Sequence, residues 1–107
     1  MDSRLPAHLE TSGIMRAVQL AGGFATVLQR GERDAGTILI ATRDLNAISC
    51  LYERMPDLDG NRVWTKSREE PPEKEREFSE YIARRGEQDP DCWIIEIEIA
   101  QPERFIC

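Results

Sequence analysis

Five side chains in three short segments are the first candidates for chemistry. The segment DPDCW, near the end of the chain, places two aspartates around a proline and a tryptophan shortly after them. Carboxylates can act as general acids or bases, and tryptophan can stack on a ligand. A third aspartate lies in the turn GERDAG, and a second tryptophan lies in RVWTKS. The candidate binding residues are therefore Asp34, Trp64, Asp89, Asp91 and Trp93.

Each candidate also has a structural interpretation. Proline restricts the residue before it and aspartate bonds to nearby backbone amides, so the DPD segment is typical of a turn that starts a strand. Trp64 fits a core position if Arg62 and Lys66 beside it extend their charged ends to solvent. We prefer the interpretation that these residues have structural roles. A chemical role for Asp89 and Asp91 stays open.

Spacing argues against the common metal and nucleophile sites. The segment DLDGN imitates the start of a calcium loop, but Arg62 and Arg68 stand where that loop needs glycine and a bidentate glutamate. His8 is the only histidine, which rules out a His-rich metal site, and no nucleophile motif accompanies it. No glycine-rich segment matches a phosphate-binding pattern. We therefore predict no metal and no cofactor.

The order of elements suggests one further enzyme hypothesis. A helix, antiparallel strands, a helix and a strand is loosely the order of restriction-endonuclease-type cores, which bring acidic residues and a lysine together on magnesium. The residues available for this role are Glu53, Asp59 and Lys66. Their spacing follows no recognised signature, so the hypothesis is a minor one.

Composition describes one small acidic domain. The chain of 107 residues fits a single domain with short tails at 1–7 and 100–107. The net charge of −6 argues against nucleic-acid binding, and no apolar segment is long enough for a membrane span. Three cysteines without a CxxC pair indicate a reducing compartment, so we expect a cytoplasmic protein.

Hydrophobic periodicity defines the elements that must position the candidates. An apolar stripe predicts a helix from His8 to Ala21, and Gly22-Gly23 end it. Four strands are predicted over 24–31, 37–44, 47–55 and 62–67, and the turn GERDAG joins the first two as a hairpin. The stripe of the first helix consists of Ile14, Ala17, Val18 and Ala21.

The rest of the chain predicts a second helix and a last strand. Pro71-Pro72 suit the first turn of that helix, and Gly86 is expected to end it. Its buried stripe is expected to contain Phe78, Tyr81, Ile82 and the stem of Arg85. In the last strand the isoleucines from Ile95 onward face the core, and Glu96 and Glu98 face solvent.

The predicted fold class is α+β. We expect a single domain with a mostly antiparallel five-stranded sheet packed with two helices, in the order helix-strand-strand-strand-strand-helix-strand. The first two strands, within residues 24–44, carry apolar groups on both faces and are expected at the centre of the sheet.

Three long segments carry a resemblance to a known family. They are HLETSGIMRAVQLAGGFATVLQRGERDAGTILI, LYERMPDLDGNRVWT and DPDCWIIEIE. Together they resemble the small alphaproteobacterial domain of unknown function family 1491, from about Leu5 to Phe105. The most specific parts are the DAG turn, the strand around Trp64 and the DPDCW segment, whereas Gly31-Glu32 departs from the glycine-aspartate that relatives often have there. The resemblance implies a bacterial source and a compact fold, and it implies no activity.

By exclusion, the sequence favours a small cytosolic interaction or accessory protein without catalysis. The alternative is a small enzyme or ligand-binding domain, with a site where the turns Asp89–Trp93 and Asp34–Gly36 would meet. A pocket at that place would favour chemistry, and a flat exposed patch around Trp64 would favour partner binding. The partners that the sequence allows are an unidentified protein and a second copy of the chain in a homodimer, with no nucleic acid and no membrane.

Overall fold

The computed structural model describes residues 5–106, so the outer parts of the two predicted tails, 1–4 and 107, lie outside the described residues. The elements follow the predicted order, and the α+β class is confirmed. Short 3-10 turns cover Pro72–Lys74 and Pro102–Phe105. The helices and strands are α1 (Ala7–Leu20), β1 (Phe24–Gln29), β2 (Ile38–Arg43), β3 (Ser49–Pro56), β4 (Arg62–Glu70), α2 (Glu75–Gln88) and β5 (Trp93–Glu98).

The five strands form one sheet in the order β1-β5-β2-β3-β4. The last strand, β5, lies between β1, to which it is antiparallel, and β2, to which it is parallel. The other two pairs, β2 with β3 and β3 with β4, are antiparallel. The predicted hairpin of the first two strands is therefore wrong. β2 is central as expected, but β1 is an edge strand.

Burial explains why β5 separates β1 from β2. At its start β5 is buried on both faces, through Ile94 on one side and Ile95 on the other. β1 has one half-buried face and one wet face, on which Phe24 is 72% exposed and Leu28 is 47% exposed. A strand at the edge of a sheet is less covered than a central one, so the start of β5 would expose Ile94 and Ile95 to water there. The centre of the sheet therefore suits β5.

The two helices cover opposite faces of the sheet. α1 packs through Val18 onto a cluster that includes Ile40, Ile95 and Ile97. α2 packs through Phe78 and Ile82 onto the other face, against residues that include Leu39, Leu51 and Ile94. Glu96 and Glu98 lie on the face opposite to Ile95 and Ile97, as predicted, and Glu98 is exposed.

The inner stripe of α1 differs from the prediction. Val18 is buried and Ile14 is half-buried, but Ala17 and Ala21 are exposed. The buried positions nearer the start of the helix are Ala7 and Thr11. The Thr11 hydroxyl donates to the Ala7 carbonyl at 3.0 Å, so this polar residue is satisfied inside the core. The buried face of α1 thus includes the polar residue Thr11, so a search for apolar residues alone does not identify this face.

The glycines at the helix ends behave differently from each other. Gly22 follows α1 with a φ of +92°, so it ends the helix as predicted. Gly86 does not end α2, which continues to Gln88. A Cβ on Gly86 would lie 2.5 Å from Oε1 of Gln29, so glycine permits a close approach of α2 to β1 there.

An ion pair fastens α2 to β3. The Arg85 guanidinium donates to both carboxylate oxygens of Glu53, at 2.9 and 3.1 Å. The Ser67 hydroxyl donates to the same carboxylate at 2.6 Å. Hydrogen bonds from Arg85, helped by Ser67, hold the pKa of Glu53 below its usual range despite its partial burial. The charged form of Glu53 is therefore part of the folded state.

Glu53→Gln is expected to lower the free energy of unfolding by about 1–2 kcal/mol at about pH 7, because Arg85 loses its charged acceptor. In the wild type, the carboxylate of Glu53 has a lower pKa in the folded state than in the unfolded state. Its contribution is thus complete above the unfolded pKa and disappears as the pH falls through the folded pKa. Urea melts between about pH 7 and pH 2 should show the gap between wild type and variant closing. A gap of constant size over that range, or an equal effect of the exposed control Glu87→Gln, would contradict the assignment.

Candidate functional site

The two turns whose meeting the alternative site requires do lie together, at one end of the sheet. The Glu32 amide donates to the Asp91 carbonyl at 2.8 Å, and the Trp93 indole donates to the Glu32 carbonyl at 2.7 Å. A Cβ on Gly36 would lie 2.5 Å from the Asp91 carbonyl oxygen. Main-chain atoms therefore make most of this junction, and glycine is required where the two turns touch.

The three predicted aspartates are exposed at this junction, and the carboxylate of Asp89 bonds to neighbouring groups. Asp89 accepts from the Asp91 amide at 3.2 Å and from the Thr37 hydroxyl at 3.4 Å. The Asp34 carbonyl accepts from the Ala7 amide at 2.9 Å, which ties the turn to the start of α1. Asp34 borders one cavity of about 270 Å³, whereas Trp93 borders a different one of about 710 Å³. Their roles in binding stay predictions.

The two predicted tryptophans occupy different environments. Trp93 is only 5% exposed and belongs to the core under α1. Trp64 lies half-buried on the edge strand β4, with the Arg54 guanidinium 4.6 Å from its ring centre. Arg54 also forms an ion pair with Glu10 of α1 at 2.8 Å. A binding role for Trp64 stays a prediction, and a partner would first have to displace Arg54.

The three residues named for the nuclease hypothesis do not converge. Glu53 lies on the face covered by α2 and is occupied by Arg85. Lys66 pairs in register with Tyr52, on the opposite face, and bonds to Glu69 at 2.6 Å. Asp59 lies in the exposed turn between β3 and β4. Within residues 5–106, no group of three or more histidine, cysteine or acidic residues could hold a metal ion.

A groove of about 710 Å³ lies between α1 and β1, and we call it the α1–β1 groove. Its polar residues include His8, Ser12 and Arg16 on α1 and Arg30 just after β1. Its apolar surface includes Met15, Val27 and Trp93. The size is within the range typical of ligand sites.

The ion pair between Glu10 and Arg54 shows which way the flanks of α1 point. It directs one flank of the helix across the sheet, towards β3. Residues three and four apart share a face of a helix, so the other flank carries its own series. That series is His8, Ser12, Met15 and Gln19, all of which line the α1–β1 groove. The groove therefore lies on the side of α1 away from β3, where β1 is the last strand of the sheet.

The α1–β1 groove is basic although the protein is acidic. The chain has 20 acidic and 14 basic residues, yet the ten residues between 5 and 106 that line the groove include no acidic one. Neither Arg16 nor Arg30 forms a salt bridge with another described residue; Arg30 lies 6.0 Å from the centre of the Trp93 ring. As far as residues 5–106 show, two guanidinium groups at the rim of an apolar groove can thus bind an anionic ligand.

The sequence did not indicate Met15, Arg16 or Arg30 as site residues. The spacing of His8, Ser12 and Met15 marks one helical flank, but such a flank looks like an ordinary solvent face. Only the position of β1 at the edge of the sheet turns that flank into one wall of a groove. That position depends on long-range pairing, which local patterns do not reveal.

No helix among the described residues is long and apolar enough to cross a membrane.

Comparison with known proteins points to one family. The family described as "Protein of unknown function (DUF1491)" matches residues 5–107. The crystal structure of a DUF1491 family protein from Caulobacter crescentus CB15 is 27% identical, with a TM-score of 0.82, and the alignment covers 96% of this chain and 95% of that one. The NMR structure of a DUF1491 family protein from the same organism is 28% identical, with a TM-score of 0.80 and coverages of 95% and 92%.

A third similar structure comes from another bacterium. The solution structure of protein Atu0922 from A. tumefaciens is 25% identical, with a TM-score of 0.78, and the alignment covers 96% of this chain and 92% of that one. No match was found among curated proteins. Because the family match spans nearly all of the sequence and the similar structures share its whole fold, this chain belongs to the DUF1491 family.

Proposed function

We propose that this protein is a cytoplasmic bacterial interaction or accessory protein, without catalysis, that binds a partner protein along the α1–β1 groove. The observation that carries the proposal is the position of a basic, partly apolar groove beside the free edge of β1. An unpaired edge strand offers backbone groups to another chain, and a neighbouring helix offers side-chain contacts. A groove of this kind suits a segment of polypeptide.

The state of the nucleophilic side chains supports a non-catalytic function. Burial raises the pKa of the thiols of Cys50 and Cys92, whereas a thiol nucleophile needs a lowered pKa. The Ser12 hydroxyl donates to the main-chain carbonyl of His8 at 2.8 Å, and the His8 ring bonds to the Arg33 carbonyl at 3.1 Å. Serine and imidazole therefore do not form a hydrogen-bonded pair. Free thiols at Cys50 and Cys92 also fit a reducing compartment.

A steric block of the groove tests the proposal. Ser12→Trp places a large side chain on the wall of the α1–β1 groove, and Ser79→Trp makes the same change at an exposed position on α2. Affinity capture from the native bacterium, read out by mass spectrometry, should recover the same partner with wild type and Ser79→Trp. That partner should be lost with Ser12→Trp. Equal recovery with both variants would place the interaction elsewhere.

A second candidate function has one specific observation in its favour. A cavity of about 300 Å³ beside the Asp34–Gly36 turn is lined by residues that include Arg54, Arg62 and Arg85. Arg62 donates to the Arg54 carbonyl at 3.2 Å and has no acidic partner among residues 5–106. Such a cavity could take a small anion. This cavity is a weaker candidate binding site than the α1–β1 groove, because Arg85 already forms an ion pair with Glu53, and Arg54 forms one with Glu10.

A further inference from the structure

We infer that the segment bound in the α1–β1 groove is an extended, acidic strand of a partner protein that pairs with the free edge of β1. This inference rests on the proposed function, and it adds the conformation, the register and the charge of the partner segment. Four features of the described residues carry it: the free backbone groups of β1, the length of the groove, the charge of its rim and two exposed apolar side chains on β1.

The register of the sheet shows which backbone groups of β1 are free. The Trp93 amide donates to the carbonyl of Thr37, just before β2, at 2.8 Å, and the Ile99 amide donates to the carbonyl of Arg43, at the end of β2, at 3.2 Å. Because backbone groups alternate along a strand, Glu96 and Glu98 of β5 point to β1 instead. They pair in register with Thr26 and Phe24.

The intervening residues of β1 therefore point away from the sheet. Ala25 and Val27 direct their amide and carbonyl groups to the free edge. Neither of the two amides takes part in the turn and loop hydrogen bonds of residues 5–106. An added strand can form a ladder with these four groups and leave the pairing of β1 with β5 intact.

The two walls of the groove have matching lengths. The 14 residues of α1 extend about 21 Å, and the six residues of β1 extend about 20 Å. A strand of about six residues is therefore long enough to follow the flank of α1 while it pairs with β1 up to the irregularity between Val27 and Gln29. A shorter segment would leave part of this wall uncovered.

The side chains around the free edge of β1 favour a partner strand in which acidic and apolar residues alternate. Partner residues opposite Ala25 and Val27 point to the face of α1, where Arg16 and Arg30 can bind carboxylates. The next residues along point to the other face, beside Phe24 and Leu28 of β1. Those two apolar side chains are 72% and 47% exposed, and apolar neighbours would cover them.

The same charges argue against a second copy of this chain as the occupant. Antiparallel pairing of two β1 strands has its two-fold axis perpendicular to the sheet, which would place both α1 helices on one face with their groove flanks opposed. Arg16 and Arg30 of each copy would then face those of the other copy, and like charges across an interface are unfavourable. An acidic partner removes this repulsion.

Amide exchange in solution tests the inference with a defined probe. The probe is a capped heptapeptide of alternating glutamate and valine, and its matched control replaces every glutamate by lysine. In NMR spectra of the full chain, the Ala25 and Val27 amides should exchange fast without peptide and about tenfold or more slowly with about 1 mM acidic peptide. The Thr26 amide, bonded to β5, should be slow in both conditions. The lysine peptide should have no effect.

Charge-reversed variants provide a second readout. Arg16→Glu with Arg30→Glu should weaken binding of the acidic peptide by about tenfold or more. The control pair Arg76→Glu with Arg84→Glu, on exposed positions of α2, changes the net charge equally and should alter the affinity by less than about twofold.

Three results of the peptide experiments would overturn the inference. They are absence of binding at about 1 mM acidic peptide, equal binding of the lysine peptide, and binding that leaves the Ala25 and Val27 amides unprotected. Light scattering that shows a dimer broken by the reversal of Arg16 and Arg30 would assign the edge to a second copy instead. If Ser12→Trp loses the native partner while the peptide test fails, the proposed function stands and only the acidic strand is wrong.

Discussion

Trp93→Ala is expected to lower the free energy of unfolding by about 3–5 kcal/mol. The side chain is 5% exposed and lies in the core between the sheet and α1. Its indole also donates to the Glu32 carbonyl at 2.7 Å, which joins β5 to the loop after β1. Truncation therefore leaves a cavity and an unsatisfied carbonyl at the same place. Urea melts of wild type and variant measure the loss.

Two matched variants separate these effects. Trp93→Phe keeps most of the apolar volume and loses the hydrogen bond, so we expect a smaller loss of about 1–2 kcal/mol. Trp64→Ala removes the same side chain from a half-buried position on an edge strand, and it should also cost less than Trp93→Ala. A loss below about 1 kcal/mol for Trp93→Ala would show that the side chain is not part of the core.

Gly31→Ala is expected to lower the free energy of unfolding by about 3 kcal/mol or more. A Cβ at this position would clash with the Asp91 carbonyl oxygen and lie 2.6 Å from both the Cys92 carbonyl carbon and the Trp93 amide nitrogen. These are main-chain atoms of the junction between the two turns, so they cannot rotate away as a flexible side chain would. Relief would require separation of β1 from the start of β5.

Gly13→Ala is the matched control for that substitution. Gly13 lies inside α1, and a Cβ there would have no neighbour within 4 Å. The same change should therefore raise the free energy of unfolding, by about 0.5–1 kcal/mol, because alanine favours the helix. If Gly31→Ala proved as stable as wild type in urea melts, the close contact of the two turns would be contradicted.

The local part of the fold was predictable from the sequence. Alternation identified the inward isoleucines and outward glutamates of β5, and Gly22 gave a correct end for α1. The turn GERDAG correctly marked a reversal after β1, but its type does not say which strand lies next to β1. That neighbour is β5, more than 60 residues later in the chain, and the driving force is burial of both of its faces. Burial of this kind depends on the whole sheet.

The site was only partly predictable for the same reason. The sequence named the DPDCW and DAG turns as one site only on the condition that they meet, and the structure places their backbones in contact. The α1–β1 groove was missed, because Arg16 and Arg30 carry no motif and belong to elements that only the edge position of β1 brings together. A face that is unremarkable on one helix becomes a candidate interface beside an unpaired strand.

The central claim is that partner binding occurs along the α1–β1 groove, and hydrogen-exchange mass spectrometry of the full chain with its captured partner tests it most directly. We predict that binding slows exchange in residues 7–20 and 24–30, with little change in the turns Asp34–Gly36 and Asp89–Trp93. Slower exchange confined to those two turns, with α1 and β1 unchanged, would contradict the claim and favour the site at the junction of the turns.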